Sequence, residues 1–443
     1  MTPRTAIPSV FDVALLPTAN ARLRSVALIH EPGDTRSCQD TDIITTLSEG
    51  ERGPAPLLES LTVTHEPELE PRNVYLPPCF LASDAPCLQS LVLQRCAISW
   101  ESPLLRNLAH LSITLLRTSQ FRGRRLPDGH NLSKRQLYDV LRNMPSLETV
   151  ILKHALGGVS KTHGVFPDSI RFPRLISLSI ADKLSNCVCL MGMVSIPPST
   201  LCNLDIANFD LKPGFLPSLS QLGADAFPIR SLSFGEPRKP SEKFNICCWS
   251  AQQNWCSPTP RGDQPRWKLN TPVYNLNPSE MTKMGRLCLD ELQEAWLDFT
   301  EAVAIYLWNT RDWAAVFERA PHVRSILVTA PDGADMNQFL RALDAPTPQT
   351  LLFPELRCLV FREIDRQEGT VDSLDVEDSD DDELSWMDTF VNPLVSCLSA
   401  RLERGNTLDL LQLPEKYQGQ AWIGRVEGVV SKLVFGPDIA RRE

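Results

Sequence analysis

Apolar and polar positions along this chain fall into a phrase that keeps returning: an apolar residue, then Arg, Glu or Gln, then Ser, Thr or Cys, then apolar-x-apolar. Its copies start at Leu23, Leu58, Leu88, Leu147, Ile229, Val323 and Leu356, as in Leu58-Glu-Ser-Leu-Thr-Val63 and Leu88-Gln-Ser-Leu-Val-Leu93. Seven copies stand against fewer than about one expected by chance. Looser copies run from Leu108 to Ile113, Leu175 to Ile180 and Leu201 to Ile206. Proline lies two residues before the first apolar position at Pro56, Pro86, Pro145, Pro173, Pro321 and Pro354. Proline cannot continue a helix and holds its predecessor extended. Each copy therefore predicts the end of a helix or loop, then a short strand.

Helical periodicity fills several of the intervals. Ser133 to Gln136 fits a capping box, with Leu137, Val140, Leu141 and Met144 on one face behind it. A second helix is predicted after Ser279 through Leu287, Leu292 and Trp296, and a third over 312–320 with Trp313, Val316 and Phe317 inward. A fourth runs over 384–403 with Trp386, Phe390, Leu394, Leu398 and Leu402 inward and Gly405 as its cap. Between 235 and 322 only Ala302 to Leu307 reads as a further strand.

Strand and helix alternate at spacings of 20 to 39 residues, where regular leucine-rich repeats run 20 to 29. The expected fold is α/β, an irregular leucine-rich-repeat solenoid with a curved parallel sheet inside and helices and loops outside. Residues 1–22 would form an N-terminal cap or remnant and 23–365 the solenoid, with an irregular insertion at about 235–300. Residues 366–383 read as an acidic flexible loop, and 384–443 as the C-terminal helix and capping strands of the same solenoid.

Period-two alternation turns the last two apolar positions of each phrase toward the core and the residues around them outward. Thr62, Thr64, Gln94, His110, Thr114, Lys153, Ser179, Asp205 and Ser233 are the candidate partner-contacting residues on that outward, concave face. They belong to triplets such as Ser60, Thr62, Thr64 and Ser90, Val92, Gln94, which are small and mostly neutral. Such a surface suits a protein or peptide better than a polyanion.

Charge sharpens this only locally. The formal charge is −10, and the seven acids between Asp375 and Glu383 account for most of it, leaving −3 elsewhere. Neither nucleic acid nor an anionic membrane is an expected partner. The N-terminus lacks a secretory pattern, no apolar run is long enough to span a bilayer, and cysteines such as Cys96, Cys202 and Cys358 sit at strand positions. The expectation is a cytoplasmic or nuclear protein with reduced, buried cysteines.

Candidate chemistry is sparse. Gly157-Gly-Val-Ser-Lys-Thr162 lacks the glycine that a phosphate loop needs directly before its lysine. Cys187-Val-Cys189 and Cys247-Cys248 with Cys256 lack paired zinc-ligand spacing. Arg117, Arg122, Arg124 and Arg125 form a basic cluster that reads as a solvated loop or as a dock for an acidic partner or the chain's own acidic run. Arg261-Gly-Asp263 and Asn131-Leu-Ser133 read as coincidental matches to recognition motifs. Without a nucleophile–base pair, no catalytic residue, cofactor or metal is expected.

Pro86-Cys-Leu-Gln-Ser-Leu-Val-Leu93, Cys96 through Leu105 and Leu108 through Ile113 resemble the repeat region of fungal, especially basidiomycete, F-box/leucine-rich-repeat-like proteins. So do Leu141-Arg-Asn-Met-Pro-Ser-Leu-Glu-Thr-Val150 and Phe353-Pro-Glu-Leu-Arg-Cys-Leu359. The resemblance spans about residues 10 to 435. It implies repeats that hold a target protein, and in the family an F-box that binds a Skp-type adaptor of a cullin ubiquitin ligase. Only 22 residues precede the first repeat and Phe11 to Thr18 is too short for an F-box, so none is expected. A lost F-box, a truncated gene model and a free-standing repeat protein all fit. The leading expectation is a non-enzymatic protein-binding scaffold. The alternative is a ligase substrate receptor with Skp-type adaptor and cullin as partners, and an enzyme of unrecognised type is the remote third.

Overall fold

In the computed structural model the recurrent prolines open turns. The carbonyls of Ala55, Ala85, Met144, Phe172 and Phe353 accept the N–H of Leu58, Leu88, Leu147, Leu175 and Leu356 at 3.0 to 3.3 Å. Pro56, Pro86, Pro145, Pro173 and Pro354 occupy the second position of these four-residue turns, where their fixed φ is already correct. The leucine that closes each turn is buried at the head of the next strand. The structure describes residues 24–30, 55–65, 73–76, 80–116, 133–156, 169–197, 199–206, 229–234, 243–253, 265, 267–272, 289–299, 308–330, 336–344, 351–363 and 387–436. The chain divides into two units, Met1–Thr200 and Leu201–Glu443.

The first unit contains β1 (Ser25–His30), β2 (Ser60–His65), β3 (Val74–Tyr75), β4 (Ser90–Gln94), β5 (Cys96–Ala97), β6 (His110–Thr114), β7 (Thr149–Lys153), β8 (Ile170–Arg171), β9 (Ser177–Asp182) and β10 (Val194–Ser195). Strands β1, β2, β4, β6, β7 and β9 form a parallel sheet in that order. Its registration is set by one carbonyl per strand. The carbonyl of Arg24 accepts the N–H groups of both Glu59 and Ser60, that of Glu59 those of Gln89 and Ser90, and so on through Glu148 with Ile176 and Ser177. This places the Arg, Glu or Gln of the phrase at the sheet margin and stacks the following Ser, Thr or His in one row.

Behind the sheet, Leu61, Val63, Leu91, Leu93, Leu111, Ile113, Val150, Leu152, Leu178 and Ile180 are buried, as the alternation predicts. Leu88 to Ile98 completes a full leucine-rich-repeat consensus, with buried Cys96 at its ninth position. Arg95 leaves β4 with φ of 57°, turning the chain into β5, which pairs with β3, and His154 leaves β7 with φ of 55°. Helix α1 (Lys134–Arg142) starts at the expected capping box, in which Ser133 and Gln136 bond reciprocally. Its Leu137 and Leu141 are buried. Helix α2 (Leu184–Met193) carries no strong periodic signal and was not expected.

The second unit holds β11 (Leu201–Ile206), β12 (Ser231–Phe234), β13 (Lys243–Trp249), β14 (Trp267–Pro272), β15 (Glu294–Asp298), β16 (Ser325–Ala330), β17 (Cys358–Glu363), β18 (Leu410–Pro414) and β19 (Leu433–Gly436). Strands β12 and β15 to β19 run parallel. The irregular stretch after β12 enters the sheet: β13 pairs antiparallel with both β12 and β14, and β14 runs parallel to β11. The sheet is therefore mixed here: the irregular insertion expected at about 235–300 supplies antiparallel strands to a sheet expected to be parallel. The eight residues between β12 and β13 are too few for the crossover that a parallel pair needs, so this pair is antiparallel.

Two helix assignments are corrected. Trp296 lies in β15, in a copy of the phrase, Leu292-Gln-Glu-Ala-Trp-Leu297, whose turn has Asp290 in the proline position and Glu294 in the Ser position. The expected helix start near Ser279 and the expected strand at 302–307 lie outside the described residues, as does Trp386. Helix α3 (Thr310–Phe317) begins two residues earlier than expected, at a capping box formed by Asn309 and Asp312, with Trp313, Val316 and Phe317 buried as predicted. Helix α4 (Asn337–Asp344), unanticipated, packs between α3 and α5 (Asn392–Glu403). A short α6 (Ile423–Glu427) follows β18.

Helix α5 follows a π-helical turn, Met387–Val391. Phe390, Leu394 and Leu398 are buried as expected, but a strict four-residue spacing drifts by about 40° per step around a 3.6-residue helix, so the stripe has turned away from the core at its last member. Leu402, expected inward, is 43% exposed, and Arg401 takes the buried place. Arg401 donates through Nη1 to Leu352 O at 3.3 Å and through Nη2 to Phe353 O at 3.0 Å. Gly405 ends α5 as expected: at φ +75° it donates to Leu402 O, while Asn406 donates to Arg401 O. A Cβ at Gly405 would touch nothing within 4 Å, so the cost of substitution is purely that of the left-handed backbone. Gly405→Ala is expected to lower stability by about 1 kcal/mol in urea unfolding. An unchanged midpoint would contradict the role of this cap.

Candidate protein-binding face

In the first unit the outward residues form three rows crossing the strands. The first is Ser25, Ser60, Ser90, His110, Thr149 and Ser177; the second is Ala27, Thr62, Val92, Ser112, Ile151 and Ser179. The third is Thr64, Gln94, Thr114, Lys153 and Ala181, with Ile29 at the same register on β1. Seven of the nine sequence-predicted residues, Thr62, Thr64, Gln94, His110, Thr114, Lys153 and Ser179, thus share one face. Gln94, His110 and Lys153 are exposed, and the other four are half-buried. Ala181 at the end of β9 is buried. Parallel pairing and the repeated double-acceptor carbonyl keep these rows straight, because every strand starts at the same point of its phrase.

Among the described residues, Glu59 and Glu148 stand at the strand-start margin of this face. Glu59 lies 3.3 Å from Arg24, and Glu148 lies 3.9 Å from Nε2 of His110. Among the described residues the acid at the strand-end margin is Asp182, which is buried. Its Oδ2 accepts the Leu156 N–H at 3.1 Å, and its Oδ1 accepts the Lys183 N–H and Asn186 Nδ2, each at 2.7 Å. It joins the end of one repeat to the helix of the next. Nothing in the hydrophobic pattern marked it.

The remaining two candidates lie in the second unit, and one is corrected. Asp205 on β11 is half-buried. Ser233, expected to be accessible, is buried, as is Ser231. Chain from β13 onward covers this part of the sheet. Ser231 Oγ donates to Glu294 Oε2 at 2.9 Å and accepts the Gln253 N–H, which also reaches Glu294 Oε2 at 2.7 Å. Further along, Leu327 and Val360 are buried outward residues packed with Trp249, Trp296 and Cys358, and Trp296 Nε1 donates to Thr329 Oγ1 at 2.9 Å. The two units thus differ on the same side of the phrase: polar and accessible in the first, filled in the second.

Elsewhere in the first unit a cleft lies between Trp100–Arg106 and α1. It is lined by Glu101, Arg106, Gln136 and Asp139 among others, and no His, Cys or Lys lines it. Its Glu101 accepts Gln136 Nε2 at 3.0 Å. Among the described residues no group of His, Cys, Asp and Glu is arranged to hold a metal ion, and no helix is long and apolar enough to cross a membrane. Burial pushes the thiols of Cys96, Cys202 and Cys397 up to about 12, so they stay protonated at neutral pH. Residues 157–162, the arginines of 117–125, Asn131, Cys256, 261–263 and the acidic run lie outside the described residues. No protein-family model matches the chain, and a search of curated proteins finds no relative.

Proposed function

We propose that this chain is a non-enzymatic, irregular leucine-rich-repeat solenoid of F-box-protein-like descent that binds another protein on the outward sheet face of its first unit. The observation that carries the reading is the alignment of small, hydroxyl-bearing side chains in rows across six parallel strands. Such rows offer many weak hydrogen-bonding positions on a rigid backbone, and binding sites are most precise on rigid elements. Extended faces of this kind are how repeat proteins meet partners.

The test is affinity capture of the tagged chain from its own cells, comparing wild type with Ser112→Trp. Ser112 sits mid-row and half-buried, so the bulky indole obstructs the face. Loss of the specific partner from S112W, with an unchanged circular dichroism spectrum, is the expected result. Retained capture would remove the face from the reading. Co-recovery of a Skp-type adaptor and cullin would identify a ligase substrate receptor; their absence beside a face-dependent partner would identify a stand-alone binding protein.

A further inference from the structure

We propose that the sheet face of the first unit takes an acidic polypeptide segment, with carboxylates at Lys153 and Arg95 and apolar side chains on Val92 and Ile151. This rests on the reading above and names the chemistry of its partner. None of the eighteen positions in the three outward rows is Asp or Glu. Lys153 is exposed at the end of β7, and Arg95 is half-exposed directly after β4. Neither side chain has an ion pair or hydrogen bond among the described residues. The single strand between them, β6, puts the two backbones about 10 Å apart, within reach of neighbouring carboxylates on one segment.

The sheet is also polarised lengthwise. Because all strands run parallel, every strand start lies on one margin and every strand end on the other. Glu59 and Glu148 stand on the first margin, engaged by Arg24 and His110. Arg95 and Lys153 stand on the second. A basic segment would meet these two cations, which have no ion pair among the described residues, and like-charge contact across an interface is strongly disfavoured. Between the margins, Val92 and Ile151 are half-buried in one row, separated only by Ser112. Two apolar footholds beside two cations fit a segment with both apolar and acidic side chains. A nucleic acid backbone fits less well, since it would need many more cations than these two.

The experiment is fluorescence anisotropy on the full chain with a labelled peptide of interspersed Leu and Glu, and the same peptide with Lys for Glu. The Glu peptide is expected to bind, and the Lys peptide to bind roughly tenfold more weakly or not at all. Arg95→Glu with Lys153→Glu is expected to weaken the Glu peptide by roughly tenfold. Arg135→Glu with Arg174→Glu, an equal charge change at exposed sites off this face, is expected to leave it unchanged. Three results would overturn the proposal: no binding of the Glu peptide, equal loss in both double variants, or displacement of the peptide by a single-stranded oligonucleotide at lower concentration than by unlabelled peptide. If one of these occurs while S112W still loses its cellular partner, only the acidic chemistry fails. If S112W also keeps its partner, the face itself fails.

Discussion

Replacing Trp313 with alanine is expected to destabilise the second unit by about 4 kcal/mol. Trp313 is 1% exposed and sits on α3 at the centre of an aromatic cluster. Its ring meets Trp308 edge-on at 4.7 Å and Phe339 edge-on at 5.0 Å, and lies 6.0 Å from Phe299 and 6.2 Å from Phe317. Phe317 passes the contact on to Phe353 at 5.1 Å, in the turn that leads into β17. Truncation removes the transfer free energy of the indole, leaves a cavity bounded by stiff rings that cannot collapse, and deletes several edge-to-face contacts at once. Trp313→Phe keeps part of the volume and is expected to cost less than half as much. Urea unfolding followed by circular dichroism measures both. The chain has nine tryptophans, so fluorescence would mix signals from several sites. A loss below about 1 kcal/mol for Trp313→Ala would show that the cluster is not close-packed.

The next largest effect is expected at Asp182. Asp182→Ala should cost about 3 kcal/mol in the first unit. The change removes the acceptor of the Leu156 and Lys183 N–H groups and of the Asn186 amide, and Leu156 and Asn186 are buried. The penalty comes less from the bonds lost than from donors left unsatisfied. Asp182→Asn preserves the shape but turns an amide toward a donor, so it should recover only part of the loss. Asn186→Ala should cost less in the Asp182→Ala background than in the wild type, because the bond the two share is already lost. Additive losses in the double variant would mean that Asn186 gains its stability elsewhere.

These two residues divide between what the chain announces and what it conceals. Trp313 was legible, because an apolar stripe at helical spacing behind a cap has few readings other than a buried face. Asp182 was not: an acid at the end of a strand looks like any surface charge, and its three partners come from β7's exit loop, its own neighbour and α2. Leu292 to Leu297 was missed for a related reason. The turn and the strand survive without the proline and the serine that marked other copies, since a hydrogen-bonded turn tolerates many residues at its second position. Leu402 was misread because a strict four-residue spacing drifts by about 40° per step, and after Phe390, Leu394 and Leu398 the inward place passes to Arg401.

The sequence by itself determined the local grammar of the protein. Proline before leucine sets a turn, and polar–apolar alternation sets a short strand with a core side and an outward side, because these depend on φ restriction and side-chain geometry within a few residues. It therefore placed Thr62, Gln94, Thr114 and Lys153 together on one face. Only the tertiary structure decided what meets that face. It brought β13 and β14 into the second sheet, closed Ser231, Ser233 and Glu294 beneath neighbouring chain, and left Gln94, His110 and Lys153 in the first unit's rows exposed. Strand pairing and coverage join residues dozens of positions apart, and the free energy that selects them comes from long-range burial and hydrogen bonding that local pattern does not encode.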